Sequence, residues 1–114
     1  MGRVIRPSSN PDRAALEARW LALTRQILPS LAVARGWPVL ADHCFQRILL
    51  DVASGGVWYD AIRGRPAYVH ATDAVLAAAV ALGEDAVAGA VDLAALNARS
   101  IGWRRRRSFS LPVG

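Results

Sequence analysis

The chain has 114 residues, a single cysteine and a formal charge of +5. That length suits one domain with one modest core, and a lone cysteine excludes an internal disulfide framework or a zinc site built from several thiolates. Hydrophobic residues make up 54% and charged residues 20%, a folded rather than a disordered balance.

In chain order, residues 1–9 hold two Arg, a Pro and two Ser without periodicity and are expected to form a flexible arm. Asn10-Pro11 is a helix-start signal, with Asn at the cap and Pro in the first turn. Leu16, Trp20, Leu23, Ile27 and Leu28 recur at three- and four-residue spacing and predict a first helix to about Leu28. Pro29 removes a backbone donor, so a kink or break is expected there before helix resumes to Arg35-Gly36. A second helix is expected through about Ser54, either capped by Asp42 or beginning already at Pro38, with Cys44, Phe45, Ile48, Leu49 and Val52 on its apolar face and Gly55-Gly56 as its stop.

Residues from Val57 to Ile62 predict a single helical turn, and Pro66-Ala67-Tyr68 another. Thr72 caps a helix expected to run to about Ala88 and stop at Gly89, with a second face that is largely Ala. That Ala face is a candidate homodimer surface. Asp92 caps a last helix expected to end at Gly102. Trp103 follows, and residues 104–114 are expected to form a basic tail. No segment alternates with a period of two. The predicted fold is therefore all-α, a single-domain bundle of about four main helices spanning residues 10–103 with short helical turns between them.

The charge is uneven. All fourteen basic residues are Arg, and four of them are Arg104, Arg105, Arg106 and Arg107. Residues 1–103 carry ten Arg against nine acids, a balance of +1. Trp103 with Arg104–Arg107 is the expected polyanion-binding element: guanidinium groups neutralise phosphates and an indole stacks on a base. Nucleic acid or another polyanion, or a protein, is the expected partner class.

The stretch from His43 to His70 concentrates both His, the Cys, one Trp and both Tyr. On a helix, His43, Arg47 and Asp51 follow one another at four-residue spacing. The loop after it brings Trp58, Tyr59 and Asp60, and Tyr68 comes next. These seven residues form a candidate pocket, with His43 as acid or base and Arg47 as an anion clamp. The competing reading is an interhelical hydrogen-bond network that fixes the loop, with Trp58 and Tyr68 as core anchors.

Cys44 follows His43 directly, and neighbours on a helix point about 100° apart, so the pair makes no direct dyad. There is no metal-ligand spacing, phosphate loop or nucleophile elbow, so no metal and no cofactor are expected. With no long apolar run and no leader-like start, the expected location is cytoplasmic and no membrane partner is expected.

Trp37-Pro38, Asp42-His43-Cys44-Phe45-x-Arg47-Ile48-Leu49-Leu50-Asp51, Trp58-Tyr59-Asp60, Arg65-Pro66-Ala67-Tyr68 and Asp92-Leu93-x-x-Leu96-Asn97-x-x-Ser100 together form a pattern. Over about residues 20–103 it resembles small helical proteins of bacteria and fungi, some of which carry a GNAT-type N-acetyltransferase label. The resemblance implies an accessory module beside an acetyltransferase, which would be its protein partner. The chain has neither the mixed sheet nor the Gln/Arg-x-x-Gly-x-Gly/Ala loop that holds coenzyme A in that enzyme class, so no catalytic residue is carried over. The functional expectation is a non-catalytic binding or accessory module. The alternative is a small enzyme or ligand-binding protein with its pocket around His43, Arg47, Asp51, Tyr59 and Asp60.

Overall fold

The computed structural model of the chain describes residues 11–110; side chains are described for residues 12–107. The expected arm at residues 1–9 and the Asn10 cap lie outside that range. The described chain is all helix and turn, with four long helical rods and two short ones.

The first rod comprises α1 (Pro11–Ala22), a π turn (Leu23–Ile27) and α2 (Leu28–Arg35), wound without interruption. Pro29 does not break it. Because Pro29 has no N–H, the turn before it cannot close in the ordinary α pattern. The chain widens one turn earlier, where the Leu28 N–H reaches back five residues to the Leu23 carbonyl. Gly36 ends the rod in the left-handed conformation at φ 65°.

The second rod, α3 (Asp42–Ser54), is capped by the extended residue Ala41 rather than by Asp42. Asp42 is already helical, and its carboxylate accepts from the next N–H, that of His43, at 2.7 Å. A 3-10 turn (Trp58–Asp60) and the short α4 (Ala67–His70) occupy the two places where single turns are expected. The third rod, α5 (Asp73–Ala88), is capped as its sequence predicts: Thr72 Oγ1 accepts from the Val75 N–H at 3.2 Å, and Gly89 closes the other end. Its Ala74, Ala77, Ala78 and Ala81 are exposed.

The fourth rod, α6 (Leu93–Ser110), starts as expected, with Asp92 accepting from the Ala94 N–H at 3.1 Å. It does not stop at Gly102. A mid-helix glycine costs only about 1 kcal/mol relative to Ala. The residues beyond it are held by ion pairs from Arg104 to Asp51 and from Arg107 to Asp60. The run expected as a basic tail is therefore helical through Ser110, and its arginines are spaced by helix geometry.

The core lies where α3 and α5 pack on each other and on the first rod, with α6 closing the side of α3. Trp20, Leu23, Leu28, Phe45, Ile48, Leu49, Leu76 and Leu93 are wholly buried in one cluster. Gly83 on α5 permits the close approach of the first rod: a Cβ there would meet Leu23 Cδ1 at 3.1 Å and Leu49 Cδ1 at 3.4 Å. This frame fixes the direction of α3, whose polar side faces the 3-10 turn and α6. Among the described residues no helix is long and apolar enough to cross a membrane.

Candidate functional site

Position on α3 decides which polar residues meet. At 100° per residue His43, Gln46, Arg47 and Leu50 share one face, and Asp51 lies about 80° round from His43. The expected grouping of His43, Arg47 and Asp51 therefore divides in two. His43 and Arg47 border an open cleft, whereas Asp51 turns under it towards α6 with a side-chain exposure of 0%.

Asp51 is the centre of a fully partnered network. Its Oδ1 accepts from the Trp58 N–H at 2.9 Å and from Arg104 Nη2 at 3.1 Å. Its Oδ2 accepts from the Ser100 hydroxyl at 2.7 Å and from Arg104 Nε at 2.8 Å. Four donors fill the lone pairs of the carboxylate. Hydrogen bonding to Asp51 raises the Arg104 pKa above its ordinary value. One helix, one loop and the far half of α6 are thus tied at a single buried anion.

Arg47 meets this network only through neutral atoms. Its Nη1 donates to Ser100 Oγ at 2.6 Å and its Nη2 to Asn97 Oδ1 at 2.9 Å. The direct Arg47–Asp51 pair that four-residue spacing suggests is replaced by the Ser100 hydroxyl between them. The guanidinium is held in place and no carboxylate is spent on it.

The cleft in front of Arg47 has a volume of about 250 Å³. Its polar lining is His43, Gln46, Arg47 and Arg65; its apolar lining is Leu50, Trp58, Pro66 and Ala67. Arg65 lies over the Trp58 ring, 5.4 Å from the centroid, and Tyr59 meets the same indole edge-on at 5.5 Å. The Gln46 amide nitrogen donates to Thr24 Oγ1 at 3.1 Å, which anchors that wall to the buried side of the first rod. His43 is at the rim, with its side chain 81% exposed and Nδ1 3.7 Å from Asp42.

The remaining expected pocket residues lie elsewhere. Tyr59 is outside the lining, with its ring against Arg104 at 5.4 Å and Arg107 at 5.0 Å. Asp60 accepts from Arg107 Nε and Nη2 at 2.9 to 3.2 Å. Hydrogen bonding to Asp60 raises the Arg107 pKa. Tyr68 packs against the core, and its carbonyl accepts from Arg13 at 2.8 Å. Cys44 is half-buried and does not line the cleft.

The arginine run is divided in the same manner. Arg104 points back to Asp51 of α3 and Arg107 to Asp60 of the 3-10 turn, whereas Arg105 and Arg106 are exposed. Trp103 is half-buried under Arg99, whose guanidinium lies 5.2 Å from the ring centroid.

Gln46, Leu50, Arg65, Pro66 and Ala67 complete the cleft without having been assigned to the pocket from sequence. The first two were readable as the i+3 and i+7 neighbours of His43. The other three depend on how the loop before α4 folds over α3, which no local spacing encodes. The described residues hold no cluster of His, Cys, Asp and Glu fit for a metal ion. Comparison with family models, with curated proteins and with solved structures returned no match.

Proposed function

We propose that the protein is a non-catalytic binding module for polyanions, with nucleic acid the partner that its chemistry fits best. The observation that carries this reading is the division of the arginines. Arg13, Arg19, Arg104 and Arg107 are paired with carboxylates of the fold itself. Arg47, Arg63, Arg65, Arg99 and Arg105 have no carboxylate partner among the described residues, and four of these five are exposed. Cations left over after internal pairing are available for phosphate, and phosphate contacts supply most of the affinity of sequence-independent binding.

Three exposed arginines lie on tryptophan rings, Arg35 on Trp37, Arg65 on Trp58 and Arg99 on Trp103. A basic surface interleaved with aromatic rings suits nucleic acid better than a plain acidic protein. Apart from the His43 imidazole at its rim, the cleft lining offers N–H donors and an indole but no carboxylate, hydroxyl or thiol side chain. That set favours holding an anion over breaking a bond.

The test is fluorescence anisotropy of labelled single- and double-stranded oligonucleotides against salt. Binding in the range of about 10⁻⁴ to 10⁻⁶ M that weakens steeply with salt is expected. Absence of binding to every polyanion at about 50 mM salt refutes the reading.

A further inference from the structure

We propose that the cleft between α3 and the loop before α4 is a pocket for one unstacked nucleotide. Its base would lie against Trp58 and its phosphate between Arg47 and Arg65. The inference rests on the polyanion reading and specifies where a strand is gripped and which kind of strand is preferred.

Three observations lead to it. First, Arg47 is immobilised by Asn97 and Ser100, both neutral, while the four acceptor positions of nearby Asp51 are already filled. A fixed guanidinium bordering a cleft without a carboxylate is an anion seat, because its planar fork matches phosphate.

Second, the half-buried Trp58 ring borders the cleft and carries the guanidinium of the exposed Arg65 at 5.4 Å from its centroid. A planar cation on an indole occupies the place that a nucleobase takes, and bases stack on both aromatic rings and guanidinium planes. Arg65 has the reach to leave the ring for a phosphate or to remain as a second layer over the base.

Third, the dimensions suit one unit. The cleft volume of about 250 Å³ is below the roughly 300–1,000 Å³ of pockets that enclose larger organic ligands. Leu50, Pro66 and Ala67 supply an apolar wall for a ring edge. A base inside a duplex is stacked and paired, and must give up a few kcal/mol of those contacts before entering such a pocket. The pocket therefore favours single strands over duplex, whereas the exposed arginines alone read only phosphate charge.

The experiment uses the full chain with fluorescein-labelled mixed-sequence single-stranded DNA of about 12 nucleotides and a duplex of the same length. Wild type, Trp58→Leu, Arg65→Gln and Arg105→Gln are compared at several salt concentrations, with circular dichroism of each variant as the check on folding. The wild type is expected to prefer the single strand by about tenfold or more. Trp58→Leu is expected to weaken single-strand binding by about 5- to 100-fold, the range found for loss of one base–aromatic stack, and to leave duplex binding unchanged. Arg65→Gln is expected to weaken the single strand more than the duplex and to lower its salt slope by about 1. Arg105→Gln, outside the cleft, is expected to weaken both equally.

Equal affinity for the two strands in the wild type overturns the pocket while leaving the polyanion reading intact. So does an Arg65→Gln variant that cannot be told from Arg105→Gln. Arg65 is exposed and its removal is not expected to disturb folding, so this comparison holds even if Trp58→Leu fails to fold. Absence of binding to both strands removes the polyanion reading and the pocket with it.

Discussion

Replacing Asp51 by Ala tests the most demanding feature of the fold, a wholly buried carboxylate that gathers four donors from the 3-10 turn and α6. The substitution strands the Ser100 hydroxyl and the Trp58 N–H, and it removes the counter-charge of Arg104. Breaking a buried ion pair from one side costs about 3–5 kcal/mol. Arg104 retains 29% of its side-chain exposure and can partly rehydrate, which lowers the expected cost to about 2–4 kcal/mol.

Asp60→Ala is the internal control. It removes the other α6 ion pair, where Arg107 and Asp60 are 41% and 54% exposed. Exposed pairs contribute about 0–1 kcal/mol. Urea unfolding followed by far-ultraviolet circular dichroism at neutral pH measures both. The Asp51 variant is expected to lose a sizeable share of a total stability of about 5–15 kcal/mol, with Asp60→Ala close to wild type. Losses within about 1 kcal/mol of each other would falsify the account of Asp51 as the anchor of α6, and would place the stability of that helix in its apolar contacts alone.

Further expectations concern the backbone and the surface. Gly83→Val puts a branched side chain where even a Cβ lies 3.1 Å from Leu23 Cδ1; a loss of about 1–3 kcal/mol is expected in the same urea assay, and an unchanged midpoint contradicts the close α5 contact. Gly64→Ala forces a Cβ to within 2.7 Å of the His70 ring at a φ of 117°. A loss of about 1–3 kcal/mol is expected by thermal unfolding, and a neutral result argues against that loop geometry. The hydrogen bond from Arg19 lowers the Glu84 pKa from its ordinary 4.5. The Arg19–Glu84 tie between α1 and α5 therefore adds stability above about pH 4.5 and loses it as pH falls through the lower folded value. Glu84→Gln is expected to flatten the acid limb of a stability–pH curve, and an acid limb identical to wild type removes the tie from the account.

The legible and illegible parts of the chain differ in range. Thr72, Asp92, Gly36, Gly55 and Gly89 act through neighbours within four residues, and each starts or stops a helix where its chemistry predicts. Gly102 carries the same local signal and fails, because Asp51 and Asp60 some fifty residues earlier hold the arginines beyond it. The Arg run looked like a free basic tail for the same reason: the sequence shows the cations, not the carboxylates that face two of them. In the site, helix phase correctly placed His43 with Arg47, but the 80° offset of Asp51 separated a buried anchor from an open cleft. The third wall, Arg65 to Ala67, is set by loop packing and was beyond local periodicity.

The π turn in the first rod has a consequence for how the chain tolerates lost residues. The buried stripe runs through Trp20, Leu23 and Thr24 and then continues at Leu28 and Ala32, one place later than an unbroken α-helix would put it. The wide turn absorbs a surplus residue, so the stripe is straight in space although it slips in sequence. Omitting the exposed Arg25 removes that surplus and keeps the same side chains facing α3 and α5. Omitting a residue from the middle of α3 or α5, where no surplus is stored, turns everything beyond it by about 100° and takes half a core face into water.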